Sequence, residues 1–146
     1  MGILVLDATT ESIVVAMSSV AATTNPDFTS AYADDTGMAF TEGSNDGALN
    51  GTSPVTLVAA PAASTRRVVK NITICNRDTA SVTLTVSFDN NGTLRNIVKV
   101  TLAVGDTWTL DGAYDTTGAL KQTLGIINLA TQVYGTLPVS NGGTGI

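Results

Sequence analysis

Apolar and polar side chains alternate with a period of two between residues 82 and 104, in two runs separated by the segment 89–93. The apolar positions are Val82, Leu84, Val86 and Phe88 in the first run and Leu94, Val98, Val100, Leu102 and Val104 in the second. This period is typical of β-strands that bury one face. The intervening Asp-Asn-Asn-Gly-Thr segment favours a turn, because Asn and Gly tolerate positive φ. The pattern therefore predicts a β-hairpin.

Two further strands are predicted next to this hairpin. Residues 68–75 are rich in β-branched side chains and end at a turn-forming Asn-Arg-Asp-Thr segment. After the hairpin, a Gly-Asp turn precedes a strand over 107–110, in which Trp108 and Leu110 are expected to point inward. Four consecutive strands with short connections predict an antiparallel meander or part of a Greek key.

The N-terminal half predicts shorter strands over 12–16, 28–33 and 54–58, and a bend at 61–64. Residues 37–53 are predicted to form a loop, because Gly-Ser-Asn-Asp-Gly and Asn-Gly segments interrupt them. No segment has a sustained helical period. Seven or eight short strands separated by turns predict an all-β fold, an antiparallel β-sandwich of the jelly-roll or immunoglobulin-like type.

The two flanks of the chain differ from this predicted core. We expect residues 21–125 to form the β-sandwich domain, residues 1–20 an N-terminal arm or edge strand, and residues 126–146 an extended C-terminal tail. The tail is uncharged, apolar and rich in glycine near its end, so it suits neither a helix nor the interior of a sheet. Both flanks are expected to contact partner molecules, because they are apolar but poor at closing a sandwich by themselves.

Composition limits the chemistry that the chain can perform. The 146 residues include no histidine, which excludes imidazole acid–base catalysis and histidine metal sites. The single cysteine, Cys75, excludes an intrachain disulfide, and without a histidine to activate it we expect a small buried thiol. Trp108 is expected to anchor the core.

Acidic residues cluster at Asp34, Asp35, Glu42 and Asp46. Carboxylates are ligands for Ca²⁺, but their spacing here departs from that of an EF-hand loop, so a solvated acidic loop is the favoured interpretation. The Gly-Gly-Thr-Gly segment at 142–145 lacks the lysine and the following helix of a phosphate-binding loop. We therefore expect no enzyme activity, no cofactor and no metal site.

Charged residues make up 13% of the chain and are unevenly distributed around a net charge of −5. Residues 1–65 hold seven acidic and no basic residues, whereas residues 66–121 hold all seven basic residues and five acidic ones. This distribution argues against nucleic-acid binding, which requires a dense basic face. The one basic cluster, Arg66, Arg67 and Lys70, is either a solvated strand face or a contact patch for an acidic partner, such as the N-terminal third of a neighbouring copy.

No membrane association is expected. The apolar start of the chain lacks a basic region, and Asp7 and Glu11 interrupt it. No window approaches the run of about eighteen apolar residues that a membrane-spanning helix requires. We expect synthesis in a reducing cytosol.

Two stretches resemble proteins of tailed-bacteriophage virions. The segment 135–145, Gly-Thr-Leu-Pro-Val-Ser-Asn-Gly-Gly-Thr-Gly, is similar to an element that recurs in phage tail fibres and related appendages. The stretch 58–77 is similar to small phage structural β-domains, which pair an Ala-Pro-Ala-Ser-Thr-Arg bend with a strand that ends in Asn-Arg. In those domains a hairpin and a glycine-containing turn follow, as at 104–106 here. The resemblance implies a homotrimeric virion component without enzymatic activity, made in the cytoplasm of the host bacterium.

From this resemblance we expect a capsid decoration or cement protein that binds the major capsid protein and stabilises the joints between its subunits. The expected partner contacts are the basic cluster and, in the tail, Leu137, Pro138, Val139, Gly142 and Gly143. Two alternatives stay open. One is an adaptor or attachment domain of a tail or head fibre, where glycine would let three chains approach closely near an axis. The other is a module that binds host glycans.

Overall fold

The computed structural model of the protein describes residues 4–121, which form ten β-strands and no helix. No segment of this range is therefore a helix that could cross a membrane. The strands are β1 (Leu4–Leu6), β2 (Glu11–Met17), β3 (Asp27–Asp35), β4 (Phe40–Ala48), β5 (Val55–Val58), β6 (Arg66–Cys75), β7 (Val82–Asn90), β8 (Thr93–Leu102), β9 (Thr107–Thr109) and β10 (Gly112–Tyr114).

The strands form two antiparallel sheets that pack against each other. The larger sheet has six strands in the order β10-β9-β6-β3-β4, with β1 also paired to β6. The smaller sheet has four strands in the order β5-β2-β7-β8. Buried apolar side chains from both sheets form one continuous core. The prediction of an all-β, antiparallel β-sandwich is confirmed.

The alternation of side chains along the strands produces this core. Ile13 and Val15 on β2, and Leu84 and Val86 on β7, are completely buried, and Val15 lies directly opposite Val86 in the ladder between these strands. Such cross-strand apolar pairs are the unit of sheet stabilisation. From the other sheet Trp108 on β9 is 5% exposed, which confirms it as a residue of the core.

The predicted hairpin is confirmed as β7 and β8, joined at a tight turn in which Asn91 and Gly92 both have positive φ. A β-bulge at Ile97 interrupts β8 and reverses the alternation of its earlier residues. Leu94 was predicted to face the core but is 53% exposed, because the extra residue turns its side chain to the outer face. The same prediction was wrong for Val104, which lies 53% exposed in the turn after β8.

The four strands from β6 to β9 are not a meander. β6 and β9 pair with each other in the larger sheet, whereas the hairpin of β7 and β8 belongs to the smaller one. The chain therefore crosses between the sheets after β6 and returns after β8. Period-two alternation identifies a strand with one buried face, but it carries no information on which of two facing sheets the strand joins.

The prediction of a loop over 37–53 was wrong, because β4 pairs with β3 along all nine of its residues. β4 is an edge strand whose side chains are almost all exposed, so it has no apolar alternation to detect. Glycines that usually weaken a strand are used here for close packing. Gly43 lies opposite Tyr32 and Gly47 opposite Phe28, and a Cβ atom at Gly43 would stand 2.7 Å from the Tyr32 ring.

Residues 1–20 were expected to form an arm or an edge strand, and the described part of this range contains two strands of the sandwich. β1 is a short edge strand on β6, and β2 lies inside the four-stranded sheet between β5 and β7. Residues 4–17 are thus part of the β-sandwich and are not available as a free arm. The expected tail over 126–146 lies outside the described residues.

The two crossings between the sheets meet at the side chain of Asn76, which directly follows β6 and is completely buried. Its amide Nδ2 donates hydrogen bonds to the carbonyl oxygens of Ala80, Leu102 and Ala103, each at 3.0 Å. Its Oδ1 accepts a hydrogen bond from the backbone N–H of Asp78 at 2.9 Å. These bonds join the β6–β7 connection to the end of β8 and satisfy the completely buried amide of Asn76.

Backbone hydrogen bonds also link the β8–β9 connection to Asn76. The N–H of Asn76 donates to the carbonyl of Asp106, and the N–H of Gly105 donates to the carbonyl of Asn76, both at 2.9 Å. The Asp106 carboxylate accepts a hydrogen bond from the N–H of Ala103 at 2.8 Å and one from the Lys121 ammonium at 2.6 Å. We call Asn76, Asp78 and Asp106 with their hydrogen bonds the polar junction.

Asp78 extends the polar junction to the β2–β3 connection. Its carboxylate accepts hydrogen bonds from the backbone N–H groups of Ala22, Thr23, Thr24 and Thr79, at 2.7 to 3.2 Å. Burial by itself raises the pKa of this carboxyl, but the four backbone donors outweigh it and hold the pKa of Asp78 well below its ordinary value of 3.8. The junction thus ties three connections together at one end of the sandwich.

We expect Asn76→Ala to lower the free energy of unfolding by about 3 kcal/mol or more, because it removes four hydrogen bonds, of which those to the Leu102 carbonyl and from the Asp78 N–H are buried. Asn71→Ala, on an exposed position of β6, is the matched control and should change it by less than about 0.5 kcal/mol. Urea denaturation of both variants measures the difference. Equal stability of the two would contradict a structural role for the Asn76 amide.

We expect Asp78→Asn to destabilise the protein at neutral pH, because an amide N–H₂ group cannot accept the bonds that a carboxylate oxygen accepts. Folding lowers the pKa of Asp78, so its contribution is complete above the ordinary value of 3.8 and is lost as the pH falls through the lower folded-state value. The difference in free energy of unfolding between wild type and variant should therefore shrink between about pH 5 and pH 2. Denaturation curves across this range test it, and a difference that does not change with pH is the contrary result.

Candidate functional site

Arg67, one of the three residues of the basic cluster, lies on β6 opposite Asp34 of β3. Its Nε and Nη2 atoms donate to the two carboxylate oxygens of Asp34 at 2.7 and 2.8 Å, and its Nη1 donates to the carbonyl of Ala59 at 2.9 Å. The guanidinium carbon stands 3.9 Å from the centre of the Tyr32 ring. With only 11% of its side chain exposed, Arg67 is committed to contacts within the chain.

The electrostatics of this pair agree with its geometry. The hydrogen bonds from Arg67, reinforced by its charge, hold the pKa of Asp34 below its ordinary value, although burial opposes the shift. The same bonds raise the pKa of Arg67. Both groups are therefore charged at neutral pH, and the contact is a bidentate ion pair that closes one end of the core.

The other two residues of the basic cluster differ from Arg67. Lys70 forms an ion pair with Glu42 of β4, across the intervening strand β3, and both side chains are substantially exposed. This pairing lowers the pKa of Glu42. Arg66 is exposed, lies opposite Asp35 in the ladder and forms no ion pair within residues 4–121. Arg67 is thus engaged with its own chain, and the interpretation of the cluster as a contact patch for a partner stays a prediction.

The acidic residues that suggested a calcium site are used in other ways. Asp34 and Glu42 pair with cationic side chains, and Asp35 accepts a hydrogen bond from the N–H of Gly37 at 2.7 Å. Within residues 4–121 no group of three acidic or thiol side chains converges on a common point. The expected burial of Cys75 was wrong, because this residue is partly exposed.

The surface of residues 4–121 has shallow depressions in place of a deep cleft. The larger, of about 330 Å³, lies over Ala31 and Gly43 and is bordered by the ion pair of Lys70 and Glu42. A second, of about 310 Å³, lies beside Gly51 and is lined mainly by polar residues.

The carboxyl groups with a shifted pKa all have a lowered one. Hydrogen bonds, mainly from Thr117, lower the pKa of Asp115, and the pKa values of Asp34, Glu42 and Asp78 are lowered as well. A general acid at neutral pH requires the opposite shift.

The sheet edges are the surfaces that the sequence did not predict. β5 and β10, which end the two sheets, are only four and three residues long. The other two ends are β4 and β8, with nine and ten residues, and neither has a partner strand on its outer side within residues 4–121. β4 carries Glu42 and Asp46 and no basic residue, whereas β8 carries Arg95 and Lys99 and no acidic one.

One signal in the sequence could have revealed the β4 edge. Phe28 and Tyr32 are four residues apart, and so are Gly43 and Gly47. An antiparallel pairing brings both aromatic residues opposite a glycine at once, as the ladder of β3 and β4 does. The tail residues Leu137, Pro138, Val139, Gly142 and Gly143 lie outside the described residues, so their role as partner contacts stays a prediction.

Comparison with known proteins adds no constraint to this geometry. No protein-family model, no curated protein and no solved structure matches the chain.

We expect Arg67→Lys to lower the free energy of unfolding by about 1 to 3 kcal/mol, because lysine keeps the charge but loses the bidentate geometry and the stacking on Tyr32. Arg66→Lys, the same substitution one residue earlier on the strand, is the control and should change it by less than about 0.5 kcal/mol. Chemical denaturation at neutral pH measures both. If the two variants lose the same stability, the ion pair does not stabilise the fold as described.

Proposed function

We propose that this protein is a non-enzymatic structural component of a tailed-bacteriophage virion. We propose further that it decorates the capsid, bound as a homotrimer at the joints between major-capsid subunits. The observation that carries the proposal is that the residues of the phage-like stretch 58–77 coincide with the residues on which the β-sandwich depends.

This coincidence extends through the whole stretch. At its bend Ser64 has a φ of +60°, and the N–H of Thr65 donates to the carbonyl of Ala62 at 3.2 Å. At the start of β6 stands Arg67 with its ion pair, and at its end stands Asn76 of the polar junction. The resemblance therefore concerns residues with defined structural roles, which supports a shared β-sandwich rather than a chance similarity of composition.

The observed surface also supports a binding role. A decoration protein works by burying surface across neighbouring subunits, and a stable joint requires about 1,200–2,000 Å² of buried area. Such binding needs a rigid scaffold with accessible faces and edges, which the two sheets offer. In this proposal the uncharged tail, with Leu137, Pro138 and Val139 as anchors, supplies additional apolar area to the joint.

A second candidate is an adaptor or fibre-base domain. It is favoured by the similarity of the segment 135–145 to an element of phage tail fibres. In that case Gly142 and Gly143 would lie where three chains approach closely, because glycine has no side chain to keep the backbones apart. The two candidates share the homotrimer and differ in how often the protein occurs in a particle.

The proposal is tested by counting the copies of this chain per particle. Quantitative mass spectrometry of virions purified from the organism that encodes the chain gives this number. Capsid decoration predicts on the order of hundreds of copies per particle, since the shell repeats its joints by symmetry. A few tens of copies or fewer would instead support the fibre-base domain. Virions that lack the chain altogether would contradict both candidates.

A further inference from the structure

Two of the four sheet ends are long, exposed and of opposite charge, and they lie on the same molecule. We propose that β4 of one copy pairs edge to edge with β8 of a second copy, so that the six-stranded sheet of one continues into the four-stranded sheet of the next. The inference rests on the homotrimer of the proposed function but not on its location in a virion.

The first support is the length of the two edges. An edge strand presents unpaired N–H and C=O groups that another strand can pair with, and proteins commonly limit this by keeping edge strands short. β5 and β10 follow that rule, with four and three residues, whereas β4 and β8 extend over nine and ten. The two long strands match each other in length, so a ladder between copies can form on either side of the bulge at Ile97.

The second support is the sign of the charges. Asp46 on β4, and Arg95 and Lys99 on β8, form no ion pair within residues 4–121. If the charged residues on β4 and β8 served only to prevent aggregation, two edges with charges of the same sign would serve equally well. Opposite signs on the two long edges instead favour contact between β4 and β8, and they disfavour contact of β4 with β4 or of β8 with β8.

The third support is the exposed apolar surface along both edges. Phe40 on β4 is 66% exposed, and Leu94 and Ile97 on β8 are 53% and 38% exposed. These side chains are among the few large apolar residues that the β-sandwich leaves in contact with solvent. Their burial between two copies would add a hydrophobic contribution to the backbone hydrogen bonds.

The positions of the edges decide the type of assembly. β5 packs beside β3 and β4, so β4 and β5 end their sheets on the same side of the sandwich, and β8 ends the smaller sheet on the opposite side. A contact between β4 and β8 is therefore head to tail, and each copy can make it twice. Head-to-tail contacts close into a ring when the rotation allows it, and three copies would form the proposed homotrimer.

Charge reversal in the full-length chain tests the inference, with the mass in solution measured by light scattering. Wild type should have three times the mass of one chain. In the proposed pairing Asp46 of one copy faces Lys99 of the next. Asp46→Lys and Lys99→Asp, each alone, should therefore weaken association at least about tenfold, because each brings like charges together at every contact. The double variant Asp46→Lys/Lys99→Asp should associate like wild type, since the two charges are then exchanged across the contact.

Asp7→Lys is the control, because Asp7 is exposed in the turn between β1 and β2 and lies on neither edge. It changes the net charge as Asp46→Lys does and should leave association unchanged. Circular dichroism and thermal unfolding verify that each variant is folded. A monomeric or dimeric wild type, folded single variants that still form trimers, or a folded double variant that stays monomeric would each overturn the inference. None of these results depends on the copy number in virions, which tests the proposed function separately.

Hydrogen exchange of the same samples gives a second measurement. Raising the concentration of the wild type until it associates should slow amide exchange in residues 40–48 and 93–102, because pairing gives their outward N–H groups a partner. Exchange in β5 and β10 should not change. Protection that appears at β5 and β10, and not at β4 and β8, would overturn the inference.

Discussion

The β-sandwich depends on the hydrogen bonds of one buried amide, that of Asn76. Hydrophobic burial drives the two sheets together, but it is not directional and does not select the sheet that the hairpin of β7 and β8 joins. The Asn76 amide is directional, because its donors reach carbonyl groups on both sides of the crossing between the sheets. An alternative path of the chain would leave the buried Asn76 amide and the Leu102 carbonyl without this hydrogen bond, at a cost of about 1–3 kcal/mol each. Compared with a net stability of about 5–15 kcal/mol, that cost is decisive.

The contrast between hydrophobic burial and specific tertiary contacts also explains how much of the fold the sequence predicts. β2, β6 and β7 each bury one face, and β8 does so only after its bulge; this burial produces the alternation from which their positions were predicted. β4 buries almost none of its side chains. The sequence signal of its pairing with β3 is therefore the matched spacing of two aromatic residues and two glycines. The bulge at Ile97 and the exchange of strands between sheets arise from tertiary contacts, for which a local pattern carries no signal.

The uneven distribution of charge along the chain is resolved in three dimensions by the pairing of β3 with its neighbours. Acidic residues of the N-terminal third meet basic residues of the middle third in three ion pairs, Asp34 with Arg67, Glu42 with Lys70 and Asp27 with Arg77. The sequence revealed the complementary signs, but the antiparallel register was needed to identify the partner as the same chain. Arg67 illustrates the difference, since a residue expected on a contact surface proved to be nearly buried.

Structural and surface roles are thus separated along this chain. The stretch 58–77 contains Arg67 and Asn76, whose contacts lie within the chain at the two ends of β6, so it serves the architecture of the β-sandwich. The long edges β4 and β8 make few demands on the core, because most of their side chains are exposed. Substitutions at these edges can therefore change which molecule binds while the polar junction maintains the fold. For this reason the partner has to be sought in the chemistry of the edges, where length, charge and exposed apolar surface all favour a second copy of the chain.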